Sequence, residues 1–348
     1  MSDSPHVHCR IEGCAGRITL TRPQALNALT HAMVQVIDAA LIAWADDPAV
    51  TRIVIDAAGA RAFCAGGDVA AVWRAGMAGD AQAGRSFWRD EYRMNARLAD
   101  YPKPVISFMQ GFVMGGGVGL GCHVRARIIG LSTRMAMPEC NIGLIPDVGG
   151  TLLLSRAPGH LGAFLALTAT RMGPGDALYA GFADHVIAGA EWPALIAALC
   201  DGAAPGILAE AALPASDSPL AAQADQIDMA LSGQDAEAAR LALLATGAGW
   251  ADEAAAAIAR NSPLSMAASL ALLRGFPAGA GIRTALRDEY RFTWRAADPG
   301  ATDLGEGVRA QLIDKDRRPV WRHAPGAVPA EEVAALLAPL GEAELTLP

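Results

Sequence analysis

Residues 103–124 read KPVISFMQGFVMGGGVGLGCHV. The first nine form a strand signal, an apolar run carrying Val105, Ile106, Phe108 and Met109 and closed by Gln110-Gly111. A glycine-rich turn follows, and then a helix. Strand, turn and helix in that order is the unit of an α/β fold, and it recurs on both sides. Upstream, Arg17–Thr21 is a short strand and Thr30 caps a helix whose apolar set is Met33, Val36, Ile37, Ala40, Leu41 and Trp44. Asp46-Asp47-Pro48 ends that helix, and VTRIVIDA (50–57) is the next strand. RAFCAGGDVAAV (61–72) repeats the glycine turn, with a helix starting near Asp68. The N-terminal run, with His6 and His8 near Cys9, reads as a floppy terminus rather than a metal grip.

Downstream, RARIIG (125–130) is a strand that leads into MPECNIGLIPDVGG (137–150). GGTLLLSRAPG (149–159) is a helix stopped by Pro158 and Gly159, and DALYAGFADHVIA (176–188) is a helix, a turn and a last strand. Alternation stops near residue 190. Beyond a Pro- and Ala-rich connection, ADEAAAAIARN, SPLSMAASLALLRG and GIRTALRDEYRFTWRA read as amphipathic helices. The expected organisation is an α/β core over 1–195 carrying the site, followed by a helical region over 196–348.

The composition supports a packed core: apolar residues are 52% and charged residues 18% of the 348. A net charge of −8 argues against nucleic acid or an anionic membrane as partner, while leaving room for a small anion in a local basic pocket. The six cysteines contain no CxxC pair, so neither a zinc site nor a disulfide framework is expected. A reduced, cytoplasmic setting is the expectation, in line with an N-terminal run that lacks the pattern of a secretory signal. No run of about twenty uninterrupted apolar residues suggests a membrane span.

Chemistry concentrates in the glycine turns and in two acids, Glu139 and Asp147. Glycine lets backbone N–H groups approach a ligand closely at a helix start. No acid follows the glycines as a dinucleotide site requires, and there is neither a GK[ST] loop nor a G-x-S-x-G elbow. Each feature also has a plainer explanation. The glycines could be packing turns, Asp147 could cap the helix VGGTLLLSR, and Glu91 in FWRDEYR could be a solvated helical charge.

Taken together and in order, AFCAGGD, GFVMGGGVGLGCH and MPECNIGLIPDVGG resemble the crotonase (enoyl-CoA hydratase/isomerase) superfamily over roughly the first 190 residues. PDVGG, MGGGVGL, RDEYRMN and the late DLGEGVRAQLIDKDRRPVW resemble its 3-hydroxyisobutyryl-CoA hydrolase branch. The resemblance implies a crotonase-like spiral of β-β-α units with a helical C-terminal region, often assembled as a homo-oligomer. It implies an acyl-CoA substrate and no further cofactor or metal, CoA being part of the substrate.

By motif position, the backbone N–H groups that polarise the thioester carbonyl belong to Gly67 and Gly116. Ala65 falls at the adenine end of CoA, and Asp68 is carried along as a substrate-side residue. Hydratases of the superfamily use two glutamates. The second matches Glu139, but the first falls on Gly119. The hydrolase branch instead has an acid at Asp147 and another at Glu91. The implied roles are Glu139 as base or nucleophile, Asp147 orienting the 3-hydroxyl or the water, and Glu91 completing the pocket. Enoyl-CoA hydration or isomerisation, and acyl-CoA binding without catalysis, are the alternatives.

Overall fold

The computed structural model of the protein describes residues 5–214, 216–233 and 235–348. The first four residues of the N-terminal run lie outside them. Nine strands run in chain order: β1 Val7–Glu12, β2 Ala15–Leu20, β3 Arg52–Ala57, β4 Ala62–Cys64, β5 Val105–Met109, β6 Phe112–Met114, β7 Ala126–Ile129, β8 Arg134–Ala136 and β9 His185–Val186. They make two sheets. One has the order β1-β2-β3-β5-β7-β9, and the other β4-β6-β8. All pairings are parallel except β1 with β2.

The topology is a spiral. In each turn one strand joins the large sheet (β3, β5, β7) and the next joins the small one (β4, β6, β8). The run 103–111, which reads as one strand, therefore breaks at its end. Gly111 turns with φ +58 between β5 and β6, and a Cβ there would overlap the Arg61 carbonyl. Central β5 is buried along its whole length, which explains its unbroken apolar run.

The helices that matter for the site are α1 His31–Ala45, α2 Val69–Met77, α3 Ala81–Ala99, α4 Gly116–Cys122 and α5 Gly150–Arg156. Thr30 caps α1 by accepting the Met33 N–H at 3.2 Å. At its other end Lys103 donates to the Trp44 and Asp47 carbonyls, both at 2.6 Å, placing a cation where the helix leaves its carbonyls unpaired. One expectation is corrected at the N-terminus. Residues 7–12 are not floppy but form β1, paired Val7 to Leu20 through Glu12 to Ala15.

After β9 the described chain forms helices and connections with no further strand. These helices return to the core. The helix Ile282–Ala296 packs on α3, where Tyr92 and Tyr290 meet edge to face at 6.0 Å. The Arg85 guanidinium lies 3.8 Å over the Trp294 ring and donates to the Trp294 carbonyl. No helix among the described residues is long and apolar enough to cross a membrane.

Candidate active site

Two glycine turns meet beneath one cavity. After β4, Leu29 donates to the Gly66 carbonyl and accepts from the Asp68 N–H, both at 2.8 Å, so Gly67 between them faces the other way. After β6, Gly115 turns with φ +49 and Gly116 begins α4. As the first helical residue, Gly116 has no intrahelical acceptor for its N–H. A Cβ on Gly116 would lie 3.1 Å from the Gly67 nitrogen. The two backbone nitrogens therefore lie close together at the cavity, with Glu91 beside them, a place suited to an oxygen that gains negative charge.

Three acids border the same space. Glu139 opens a short 3₁₀ turn after β8, and its Oε1 stands 2.6 Å from where a Gly115 Cβ would be. Its Oε2 is buried without a hydrogen-bond partner. Glu91 comes from α3, is 2% exposed, and points a partnerless Oε1 at Gly116. Asp147 comes from the loop before α5, and Tyr92 donates its hydroxyl to Oδ2 at 2.7 Å.

Burial pushes the Glu139 carboxyl well above the ordinary range, and Asp147 adds to the push. The same two causes raise Glu91. Asp147 is raised to about 7 by burial, against the pull of the Tyr92 hydrogen bond. The site is therefore a cluster of acids that all hold their protons above the ordinary carboxylate range, poised for proton transfer.

The plainer explanations of these acids do not survive. Asp147 does not cap α5: the N-cap is Gly149, without a side-chain bond. Glu91 meets no arginine. The cavity of about 710 Å³ is lined at its inner end by Ala65, Gly67, Gly116 and the three acids, and farther out by Arg171, Arg260, Arg317 and Trp321. A basic outer zone beside an acidic inner end suits a ligand with an anionic tail and a reacting head.

The Enoyl-CoA hydratase/isomerase family profile matches residues 15–337. The chain belongs to the enoyl-CoA hydratase/isomerase family. A mitochondrial 3-hydroxyisobutyryl-CoA hydrolase of Xenopus tropicalis is 38% identical over 320 residues, 89% of this chain and 82% of its own. The human mitochondrial 3-hydroxyisobutyryl-CoA hydrolase is 36% identical, over 90% of this chain and 83% of its own. Among solved structures, one described as an enoyl-CoA hydratase from Rhodobacter sphaeroides superposes with a TM-score of 0.93 at 55% identity, covering 98% of this chain and all of that one. One described as a carnitinyl-CoA dehydratase from Mycobacterium thermoresistibile has a TM-score of 0.93 at 42% identity, covering 99% of both chains. The fold expected for the family, with its helical C-terminal region, is the fold observed.

Of the residues singled out in the sequence, Ala65, Gly67, Glu91, Gly116, Glu139 and Asp147 come together at the cavity. Asp68 is not among the residues lining that cavity. Its carboxylate caps α2 through the Ala71 N–H at 3.3 Å and pairs with Arg22 at 3.1 Å. Cys64 and Cys140 are buried thiols pushed up to about 12 by desolvation, as packing residues would be. All six cysteines are free.

Three buried polar residues, Tyr92, Asn95 and Glu289, are not singled out by any sequence motif above. Glu289, fully buried on the helix 282–296, is raised to about 8 by burial despite accepting two backbone N–H groups. A signal for it exists in this family member's own sequence. The pentapeptide RDEYR occurs twice, once around Glu91 and once around Glu289.

Proposed function

We propose that this family member hydrolyses a 3-hydroxyacyl-CoA thioester, with 3-hydroxyisobutyryl-CoA as substrate and 3-hydroxyisobutyrate and CoA as products. The Gly67 and Gly116 N–H groups hold the thioester oxygen. The unpartnered Glu139 oxygen faces the carbonyl carbon. Acting as base, Glu139 takes a proton from water as the water oxygen bonds to that carbon. The tetrahedral oxyanion collapses, the C–S bond breaks, and the proton goes from Glu139 to the leaving thiolate. Acting as nucleophile, the Glu139 carboxylate bonds to that carbon, the C–S bond breaks and CoA thiolate leaves; water then cleaves the mixed anhydride, releasing the acid, returning the Glu139 carboxylate and supplying the proton that the thiolate takes up. Asp147, held by Tyr92, orients the 3-hydroxyl or the water, and Glu91 closes the pocket. Arg171, Arg260 and Arg317 suit the phosphates of CoA. CoA enters as part of the substrate and no separate cofactor is invoked. A cytoplasmic setting, with the six thiols reduced, belongs to the same proposal.

The observation that carries hydrolysis over hydration is Gly119. The resemblance places the first of the two hydratase glutamates at this position, and here it is closed. A Cβ on Gly119 would sit 2.6 Å from Val148 Cβ and 3.0 Å from Asn95 Nδ2. The full-length likeness to proteins named 3-hydroxyisobutyryl-CoA hydrolase supports the same reading. A second reading, addition of water to an enoyl-CoA, is favoured by the descriptions of the two solved relatives. Free-thiol release from 3-hydroxyisobutyryl-CoA, run beside loss of the crotonyl-CoA double bond, separates them. Thiol release alone is the expected result, and crotonyl-CoA turnover without thiol release would overturn it. In single turnover in ¹⁸O-water, label in Glu139 identifies an anhydride cleaved at the Glu139 carbonyl, which the base route cannot produce.

A further inference from the structure

Glu289 takes no part in the chemistry above, yet it is fully buried beside it. Its Oε2 accepts the Gly149 N–H and its Oε1 the Thr151 N–H, each at 2.8 Å. These donors belong to the start of α5, where the N-cap glycine offers no side chain of its own. The turn just before them is strained. Val148 and Gly149 follow one another at φ +54 and φ +82, and a β-branched residue rarely adopts the first. His123 grips the same turn from the other side, donating Nε2–H to the Val148 carbonyl at 2.9 Å. Asp147 is the residue immediately before this turn, so its place at the cavity depends on how the turn is held. The core up to residue 195 supplies His123, while the carboxylate that completes the grip comes from the C-terminal helix.

We propose that Glu289 is a positioning residue that clamps the Gly149 and Thr151 N–H groups and thereby fixes Asp147 against the thioester. The proposal rests on the hydrolase reading for its kinetic consequence, and on the geometry alone for its structural one. It gives the helical C-terminal region a stated task, which is to complete the site.

The test compares wild type, Glu289→Gln, Asp147→Asn and the double variant, at about pH 8.5, where the Glu289 carboxyl is ionised. Glutamine keeps the length but offers one acceptor where two donors point. With 3-hydroxyisobutyryl-CoA, E289Q is expected to lose roughly tenfold or more in kcat with KM within about threefold. On the D147N background the same change costs less than about twofold, because the residue it acts through is already gone. Backbone hydrogen exchange across residues 147–154 is expected to quicken in E289Q without ligand. Equal losses on both backgrounds, or a change in KM alone, would overturn the proposal, since a merely structural glutamate acts alike on both. A wild type that releases no thiol sinks the hydrolase reading instead. Exchange then decides the clamp by itself, and unchanged exchange overturns it. If E289Q is not recovered folded, Glu289→Asp is measured in the same way, with the same outcomes.

Discussion

Gly116→Ala adds one methyl at the place where the two proposed oxyanion donors meet. That methyl would lie 2.6 Å from Glu91 Oε1 and 3.1 Å from the Gly67 nitrogen. The nearer neighbour is the free end of a side chain, so Glu91 can swing away and the fold survives, within the ~1–3 kcal/mol typical of overpacking. The thioester oxygen has no such freedom, because the methyl occupies the space between the donors. Losing one aligned donor costs about 2.7–4 kcal/mol of transition-state stabilisation, or roughly 10²–10³ in kcat. Thiol release measures the rate, and a thermal melt shows that the variant is folded. A folded G116A with kcat within about threefold of wild type would refute the oxyanion assignment.

Tyr92→Phe removes the 2.7 Å bond to Asp147, leaving a buried acid short of a donor. It should cost about 1–3 kcal/mol in a urea titration as well as lowering kcat, and an unchanged unfolding midpoint would contradict this. Because burial and then Asp147 hold Glu139 protonated beyond the ordinary carboxylate range, kcat/KM should still rise with pH above that range. A profile already flat from about pH 5 would show an unperturbed base. Stability should run the opposite way. Asp147 rises from 3.8 to about 7 on folding, so its contribution is fully present below about pH 4 and is lost as pH climbs through about 7. Asp147→Asn removes this part of the loss, so its unfolding midpoint should fall less with rising pH than that of wild type, and equal pH dependence of the two would contradict it. Gly119→Glu should destabilise the protein against Val148 and yield no crotonyl-CoA hydration; gain of that activity would show the position to be open.

The parts legible in the sequence are those carried by short-range physics. The Thr30 cap, the Asp46-Asp47-Pro48 stop and the alternation of strands and helices up to about residue 190 follow from local preference, and the structure shows each in place. The glycine-rich turns stood out because close approach to a ligand leaves no room for side chains, and the family resemblance narrowed them to Gly67 and Gly116. What escaped is set by long-range packing. Apart from the repeated RDEYR, nothing local distinguishes Glu289 from the charged residues around it on an amphipathic helix. Only its docking against the start of α5, 138 and 140 residues away in the chain, buries it. Likewise β1 gains its ladder from β2, and Asp68 has the right motif position but spends its carboxylate on α2 and Arg22.

The most direct test sets wild type beside Glu139→Gln on 3-hydroxyisobutyryl-CoA, with thiol release and CoA-ester affinity both measured. Glutamine fills the same volume next to Gly115 but cannot accept a proton or attack a carbonyl as a carboxylate does. The prediction is turnover by wild type and a loss of about 10²–10⁴ in kcat for E139Q, with Kd within about threefold. Near-normal thiol release by E139Q, or none by wild type, would contradict the account.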